Sequence, residues 1–366
     1  MIARAALLPL SVHWDRPVRS SSTPETPAPD RVDPLPSQSP APPCKKGLGA
    51  QALAAASGAC RAALFGPVAH CVGKVVCAVG KTPTYRKPNI PPSELGPLPS
   101  ASIQRPLVFV HGWHTHIERF GPIGQKLTEN GGNGGRVGYV QQGQFFSDPQ
   151  CQQPLANPDP GMKVFVSVLT SNRMAPDEAQ PELSQNLAAI KKLTGQEVVD
   201  VTAFSMGGLA TRLFVDQNED HGVGKLLFIA TPQQGAGLAG LSLGLLNGKA
   251  RGWDTQWLLV GKDVREEDRR ALEWLRPNSE PRADLNSRWP RQRDSVEAVL
   301  HLGAASRMTV GTTISWPGKG DGMVPVGSLA LEGLPVEVLQ DKTSKHGELI
   351  QSPEVYLKMR DYFGWS

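Results

Sequence analysis

From residue 105 onward, short apolar runs alternate with longer segments of mixed polarity. The runs at 106–110 (PLVFV), 162–169 (MKVFVSVL), 197–203 (EVVDVTA), 225–230 (KLLFIA), 308–314 (MTVGTTI) and 335–340 (PVEVLQ) read as strands. Most are continuously apolar rather than alternating, which suits strands covered on both faces. The spacing predicts helices over 116–130, 177–193, 207–219 and 352–363. The second of these opens behind a proline and acidic residues, both favourable at a helix start. Strands and helices in alternation predict an α/β fold: a mostly parallel central sheet with helices on both faces.

The first hundred residues do not share this rhythm. Residues 17–43 are rich in Pro, Ser and Thr, and such a segment buries too little apolar area to offset the entropy of ordering it. The expectation is a largely disordered N-terminal extension over 1–100, followed by a folded domain over 101–366. Within the extension, 48–80 is small, apolar and Cys-bearing, but Arg61, His70 and Lys74 interrupt it. It falls short of the roughly 18 apolar residues a spanning helix needs. It reads instead as a helix lying on the domain or on a membrane surface. The opening "MIARAALLPL" gives no clear signal peptide, because its apolar run is short and no small-residue cleavage site follows. A secreted or membrane-associated location is favoured over a cytoplasmic one.

The net charge is +4, and no basic block is long enough to suggest nucleic acid. Cys44, Cys60, Cys71 and Cys77 fall in the first third, where they form two disulfides or remain buried thiols. Cys151 stands apart. No Cys and His spacing suits a zinc site, so no metal is expected.

The chemistry concentrates around "VVDVTAFSMGGLATRLF" at 198–214. Ser205 follows a β-branched strand and precedes a good helix opening. A nucleophile at such a bend adopts positive φ, and its neighbours two residues away must be small because strand and helix backbones pass close together. Gly207 meets that need, and Ala203 adds one methyl. A strict G-x-S-x-G match, "GLSLG", surrounds Ser242, but no strand precedes it and it reads as a coincidence. Acyl transfer also needs donors aimed at the developing oxyanion. Met206, next to the nucleophile, supplies one backbone N–H. "LVFVHGWHTH" at 107–116 supplies the second from Trp113, with Gly112 letting the backbone turn and His111 anchoring the loop. The expected order is serine, acid, histidine. Asp321 lies in the Gly-rich turn "GDGMVPV", and His346 follows the last strand in "KHGELI". His221, His301, Asp284 and Asp294 are less well placed.

The set "HGW", "AFSMGG", "ATPQQGAG", "GDGMVPV" and "KHGELI" resembles the α/β-hydrolase superfamily, in particular bacterial lipases with an A-x-S-x-G elbow and the lipase class 2 and GPI-inositol-deacylase-like (PGAP1-like) group. The resemblance spans about 105–364. It implies Ser205 as nucleophile, Asp321 as acid, His346 as base, and Trp113 and Met206 as oxyanion donors, with neither cofactor nor metal. Gln233 stands where many members carry His. The implied activity is hydrolysis of carboxylic esters by a lipase or esterase. An acyltransferase using the same site, or an inactive binding protein on the same fold, are the alternatives.

Such proteins carry a cap or lid at the place where 233–306 lies here. Leu238, Leu241, Leu245 and Leu246 are expected to form one helical face, with Trp253, Trp257 and Leu258 adding apolar area. That surface suits long acyl chains, or else a packed cap over a pocket for small esters. The partner implied is a small-molecule or lipid ester, with membrane-surface contact through the lid or 48–80. The charged stretch 265–294 reads as a solvated helix pair, and the segments at 130–140 and 141–161 as loops rimming the entrance, Phe145 and Phe146 included.

Overall fold

The computed structural model describes Gly96 and residues 98–247, 264–305, 307–310, 317–339 and 345–366. The 48–80 segment, the four N-terminal cysteines, Trp253, Trp257 and Leu258 lie outside the described residues. Among the described residues, eight strands form the main sheet: β1 (Leu107–Val110), β2 (Val137–Gln141), β3 (Gln144–Phe146), β4 (Val164–Ser167), β5 (Val199–Phe204), β6 (Val223–Ile229), β7 (Ala298–Ala304) and β10 (Val336–Leu339). Their spatial order is β10-β7-β6-β5-β1-β4-β2-β3. Every neighbouring pair is parallel except the β2–β3 hairpin at one edge. A separate antiparallel ribbon pairs β8 (Arg307–Val310) with β9 (Pro317–Gly320).

The helices are α1 (Gly121–Thr128), α2 (Pro176–Thr194), α3 (Met206–Gln217), α4 (Gly237–Asn247), α5 (Arg269–Leu275), α6 (Glu280–Ser287), α7 (Trp289–Asp294) and α8 (Pro353–Phe363). Strands β1, β4 and β5 are buried at every position, as strands covered on both faces must be, with Ser167, Asp200 and Thr202 the polar residues among them. Successive side chains point to opposite faces, so alternate residues enter different cores. Leu107, Phe109, Val164 and Val166 pack with Ile123 and Leu127 of α1 and Val355, Tyr356 and Met359 of α8. Val108, Val110, Val199 and Val201 pack with Leu183, Leu187 and Ile190 of α2 and Phe214 of α3. Helix α2 opens as expected: Pro176 occupies its first turn, and Glu178 accepts a hydrogen bond from the Ala175 N–H at 2.8 Å. It stops where Gly195 takes φ 65°.

Four expectations need correction. The sheet position beside β6 belongs to β7, not to the 308–314 run. Of that run, the described residues fall in β8, in the ribbon outside the main sheet, and 311–314 lie outside the described residues. A buried histidine inside β7 masks its apolar character: His301 bonds the Thr231 N–H through Nε2 at 3.0 Å and the Leu329 carbonyl through Nδ1 at 2.9 Å. The 130–161 region is not all rim, because β2 and β3 extend the sheet there. Gly138 lets β2 approach, since a Cβ would meet Met162 Cε at 2.7 Å. Phe146 joins the α1/α8 core, and Phe145 packs on Phe165 at 6.2 Å between centroids. The 265–294 stretch is not a solvated pair but α5, α6 and α7, which bury Leu272, Trp274, Leu275, Leu285 and Trp289. On α4 the buried positions are Ala239, Ser242 and Leu243, Leu241 is exposed, and the Leu245 side chain lies outside the described set.

Helix α3 rests directly on the end of β6. A Cβ at Gly208 would fall 2.1 Å from Thr231 Oγ1 and 2.6 Å from its Cγ2. Overpacking of this kind costs about 1–3 kcal/mol. Gly208→Ala is therefore expected to lower the unfolding free energy by that amount in chemical denaturation. An unchanged value contradicts the close approach.

Candidate active site

Between the last residue of β5, Phe204, and the first of α3, Met206, stands a single residue, Ser205. Its backbone has φ 53° and ψ −130°. A non-glycine residue in such a conformation carries about 1–3 kcal/mol of strain and persists only where its surroundings over-determine it. Here the Ser205 N–H donates to the Ile229 carbonyl at 2.8 Å, and its own carbonyl accepts from Gly208 N–H at 3.0 Å. The small neighbours are required by contact. A Cβ at Gly207 would lie 2.4 Å from the His111 carbonyl oxygen and 2.8 Å from that of Val110. Ala203 is fully buried in the strand, where its one methyl fits.

His346 opens the short 3-10 turn His346–Gln351 beyond β10. Its Nε2 lies 2.9 Å from Ser205 Oγ and its Nδ1 lies 2.7 Å from Asp321 Oδ2. A carboxylate only accepts, so Nδ1 carries the proton and Nε2 is left to accept from the serine hydroxyl. Asp321 follows β9, and its other oxygen accepts from the amides of Met323 at 2.9 Å and Val324 at 2.8 Å. The carboxylate is thus fixed by its own turn, and the His346 N–H bonds the Asp321 carbonyl at 3.0 Å. Ser205, Asp321 and His346 retain only 9%, 2% and 6% of their exposure. On the far side, Arg119 donates to the Gly347 carbonyl, and the Phe204 ring stands 4.9 Å from the imidazole.

The loop after β1 runs against this bend. A Cβ at Gly112 would fall 2.7 Å from Ser205 Cβ, 2.9 Å from the Phe204 carbonyl oxygen and 3.0 Å from the Met206 nitrogen. Only glycine fits, and the Gly112–Trp113 peptide lies beside the start of α3. His111 is fastened to backbone at both ring nitrogens, accepting from Leu169 N–H at 3.1 Å and meeting the Gly112 carbonyl at 3.1 Å. Trp113, Leu238, Leu272, Leu275, Met323 and Val324 line an apolar cavity of about 30 Å³ that also touches Ser205 and His346. A larger polar cleft of about 440 Å³ opens beside Thr115, His116, Glu118 and Arg173, and Ser205 is not part of its wall.

The remaining candidates have other partners. Ser242 sits in α4 with its hydroxyl donating to the Leu238 carbonyl at 2.9 Å, although it also lines the apolar cavity. His221 lies 3.1 Å from Ser295 Oγ and accepts from Val223 N–H. Asp284 pairs with Arg288, and Asp294 with Arg293. Gln233 is buried and accepts from Arg212 at 2.7 Å, so the position where many α/β-hydrolases carry His here joins a polar network under α6 and α7. No group of His, Cys, Asp and Glu suited to a metal occurs among the described residues. Sequence reasoning missed Asp268, whose buried carboxylate bonds Trp113 and His114. Its place in the charged run 265–270 hides it.

A mostly parallel eight-stranded sheet, with a serine at positive φ between a central strand and the next helix, is the α/β-hydrolase fold. No protein-family model matches the chain, and no curated protein sequence matches it. Solved structures similar to it include the mature lipase BlEst2 of Bacillus licheniformis, at 14% identity and TM-score 0.47, covering 71% of this chain and 91% of that one. Phospholipase PlaB from Legionella pneumophila matches at 18% identity and TM-score 0.41, covering 63% of this chain and 45% of that one. Carboxylesterase CesB from Bacillus subtilis matches at 11% identity and TM-score 0.36, covering 72% and 85%.

Burial pushes the His111 pKa down to about 4 and that of His301 to about 3. Both are neutral in the folded chain, whereas unfolded histidine protonates near 6.5. The unfolded state therefore binds more protons below about pH 6.5, and stability falls as the pH drops towards 4. His301→Gln is expected to flatten that decline by roughly 1 kcal/mol per pH unit, measured by denaturation at pH 6, 5 and 4. An unchanged slope means that His301 is charged in the fold.

Proposed function

We propose that the chain is a serine hydrolase of carboxylic esters, acting through Ser205, His346 and Asp321 and an acyl-enzyme. What supports this reading is one imidazole bonded on one side to the hydroxyl of a serine whose backbone is strained and on the other to a carboxylate fixed by its own turn. As Ser205 Oγ attacks the ester carbonyl carbon, His346 Nε2 takes its proton. Asp321 holds the tautomer and stabilises the imidazolium. The carbonyl electron pair moves onto oxygen, where the amides of Met206 and Trp113 receive it, helped by the positive end of α3. Collapse of the tetrahedral adduct expels the alkoxide, which takes the proton from Nε2. Water then repeats the sequence on the acyl-enzyme, releasing the carboxylic acid and restoring Ser205.

In this reading the segment between β6 and β7 is a cap, and the acyl group enters the apolar cavity beneath it. At about 30 Å³ the cavity has room for a small group, which favours short acyl chains. The ester is a small molecule or lipid whose acyl end reaches that space.

Ser205→Ala and His346→Ala are each expected to lower kcat on p-nitrophenyl acetate by about 10⁴ or more while the fold is kept. A near-normal rate in either variant removes the assignment. Leu272 is fully buried in the cavity wall. Leu272→Ala is expected to shift the best substrate from acetate towards hexanoate in a p-nitrophenyl ester series. An unaltered chain-length profile places the acyl group elsewhere.

A further inference from the structure

Asp268 immediately precedes α5, and its side chain is fully buried, unlike that of its neighbour Glu267. Four donors converge on it. The Trp113 indole N–H donates to Oδ1 at 2.8 Å, and His114 Nε2 lies 2.9 Å from the same oxygen. Arg173 and, at 2.7 Å, the Arg265 backbone N–H donate to Oδ2. Burial pushes this carboxyl up, but the bonds from His114, the Arg265 amide and Trp113 outweigh it and hold the group below its usual range. It is a buried carboxylate whose acceptor sites are filled, as burial of a charge demands.

Two of those donors belong to the loop that runs past the serine. That loop is strained as well: His114 has φ 51°, a conformation that a non-glycine residue keeps only where neighbours impose it. The His114 N–H donates to the Asn172 carbonyl at 2.7 Å, and Thr115 N–H to the Gly112 carbonyl at 3.2 Å. The Trp113 and His114 rings meet edge-on at 4.4 Å, and both end on Asp268. Trp113 lines the cavity and clusters with Leu272 and Leu275, while its indole N–H is tied to the segment between β6 and β7.

We propose that Asp268 is a positioning residue: by gripping the Trp113 indole and the His114 imidazole it fixes the Gly112–Trp113 peptide against the Ser205–Met206 bend and aims the Trp113 N–H at the oxyanion. This rests on the ester-hydrolase reading of the site. It makes the segment between β6 and β7 part of the catalytic geometry rather than a detachable cover. The alternative is that Asp268 only fastens that segment to the body of the domain.

A pair of substrates separates the two. Sulfur is a weak hydrogen-bond acceptor, so a thionoester draws little from oxyanion donors, whereas the matching oxoester depends on them. Asp268→Asn has the same shape but leaves an NH₂ facing converging donors. It is expected to lower kcat on the oxoester by about 30- to 100-fold, with KM within threefold, and the thionoester rate by less than threefold. The oxo-to-thiono rate ratio then falls at least about tenfold. His114→Asn, which tolerates positive φ but cannot reach Asp268, is expected to lower the ratio about threefold to fivefold and provides the test if the first variant fails to fold. Equal losses on both esters, or none on either, overturn the proposal while leaving the hydrolase reading intact. A wild-type protein that cleaves neither ester overturns that reading and this inference together.

Discussion

The bend at Ser205 brings three backbones into contact: the end of β1 with its following loop, the end of β5, and the first turn of α3. None of them tolerates an added methyl at Gly112, Gly207 or Gly208. The strain at Ser205 is held by main-chain bonds to Ile229 and Gly208, so it is met by the sheet rather than by the serine side chain. That leaves the hydroxyl available to His346. The rest of the site follows from this crossing, because the loop that must pass Gly207 is the same loop that carries Trp113.

Around the bend the molecule separates two uses of polar groups. His111 and His301 are buried, bonded to backbone and driven neutral, and they hold loops in place. Arg212 is buried among Gln233, Asn286, Gln292 and the Trp289 ring, and burial lowers its pKa to about 9. These groups anchor the sheet end and the helices α6 and α7. Asp321 and His346 are likewise buried and bonded, but their chain of bonds ends on a side-chain hydroxyl at the floor of a cavity. On the proposed reading, that ending distinguishes the reacting groups from the anchors.

The sequence made this crossing legible because its steric demands act on adjacent residues. A β-branched strand, a small residue, Ser205 and two glycines state the bend locally, and the turn at Asp321 and the position of His346 after the last strand could be read in the same way. Elements whose character depends on distant partners were not legible. Strand β7 carries His301 at its centre and follows a charged run, so only the backbone groups of Thr231 and Leu329 explain its burial. Strand β2 is broken by Gly138, whose purpose lies in Met162 and Phe165. Asp268 looks like one more surface charge until Trp113, His114 and Arg173 are brought to it from more than ninety residues away.

The central claim is that a single hydroxyl, that of Ser205, is made nucleophilic by His346. Mapping the adduct left by a fluorophosphonate probe tests it most directly. The account predicts one modified peptide, carrying Ser205, whose labelling is lost in Ser205→Ala and slowed by orders of magnitude in His346→Ala. A folded protein that stays unlabelled, or an adduct on the peptide carrying Ser242, would contradict it.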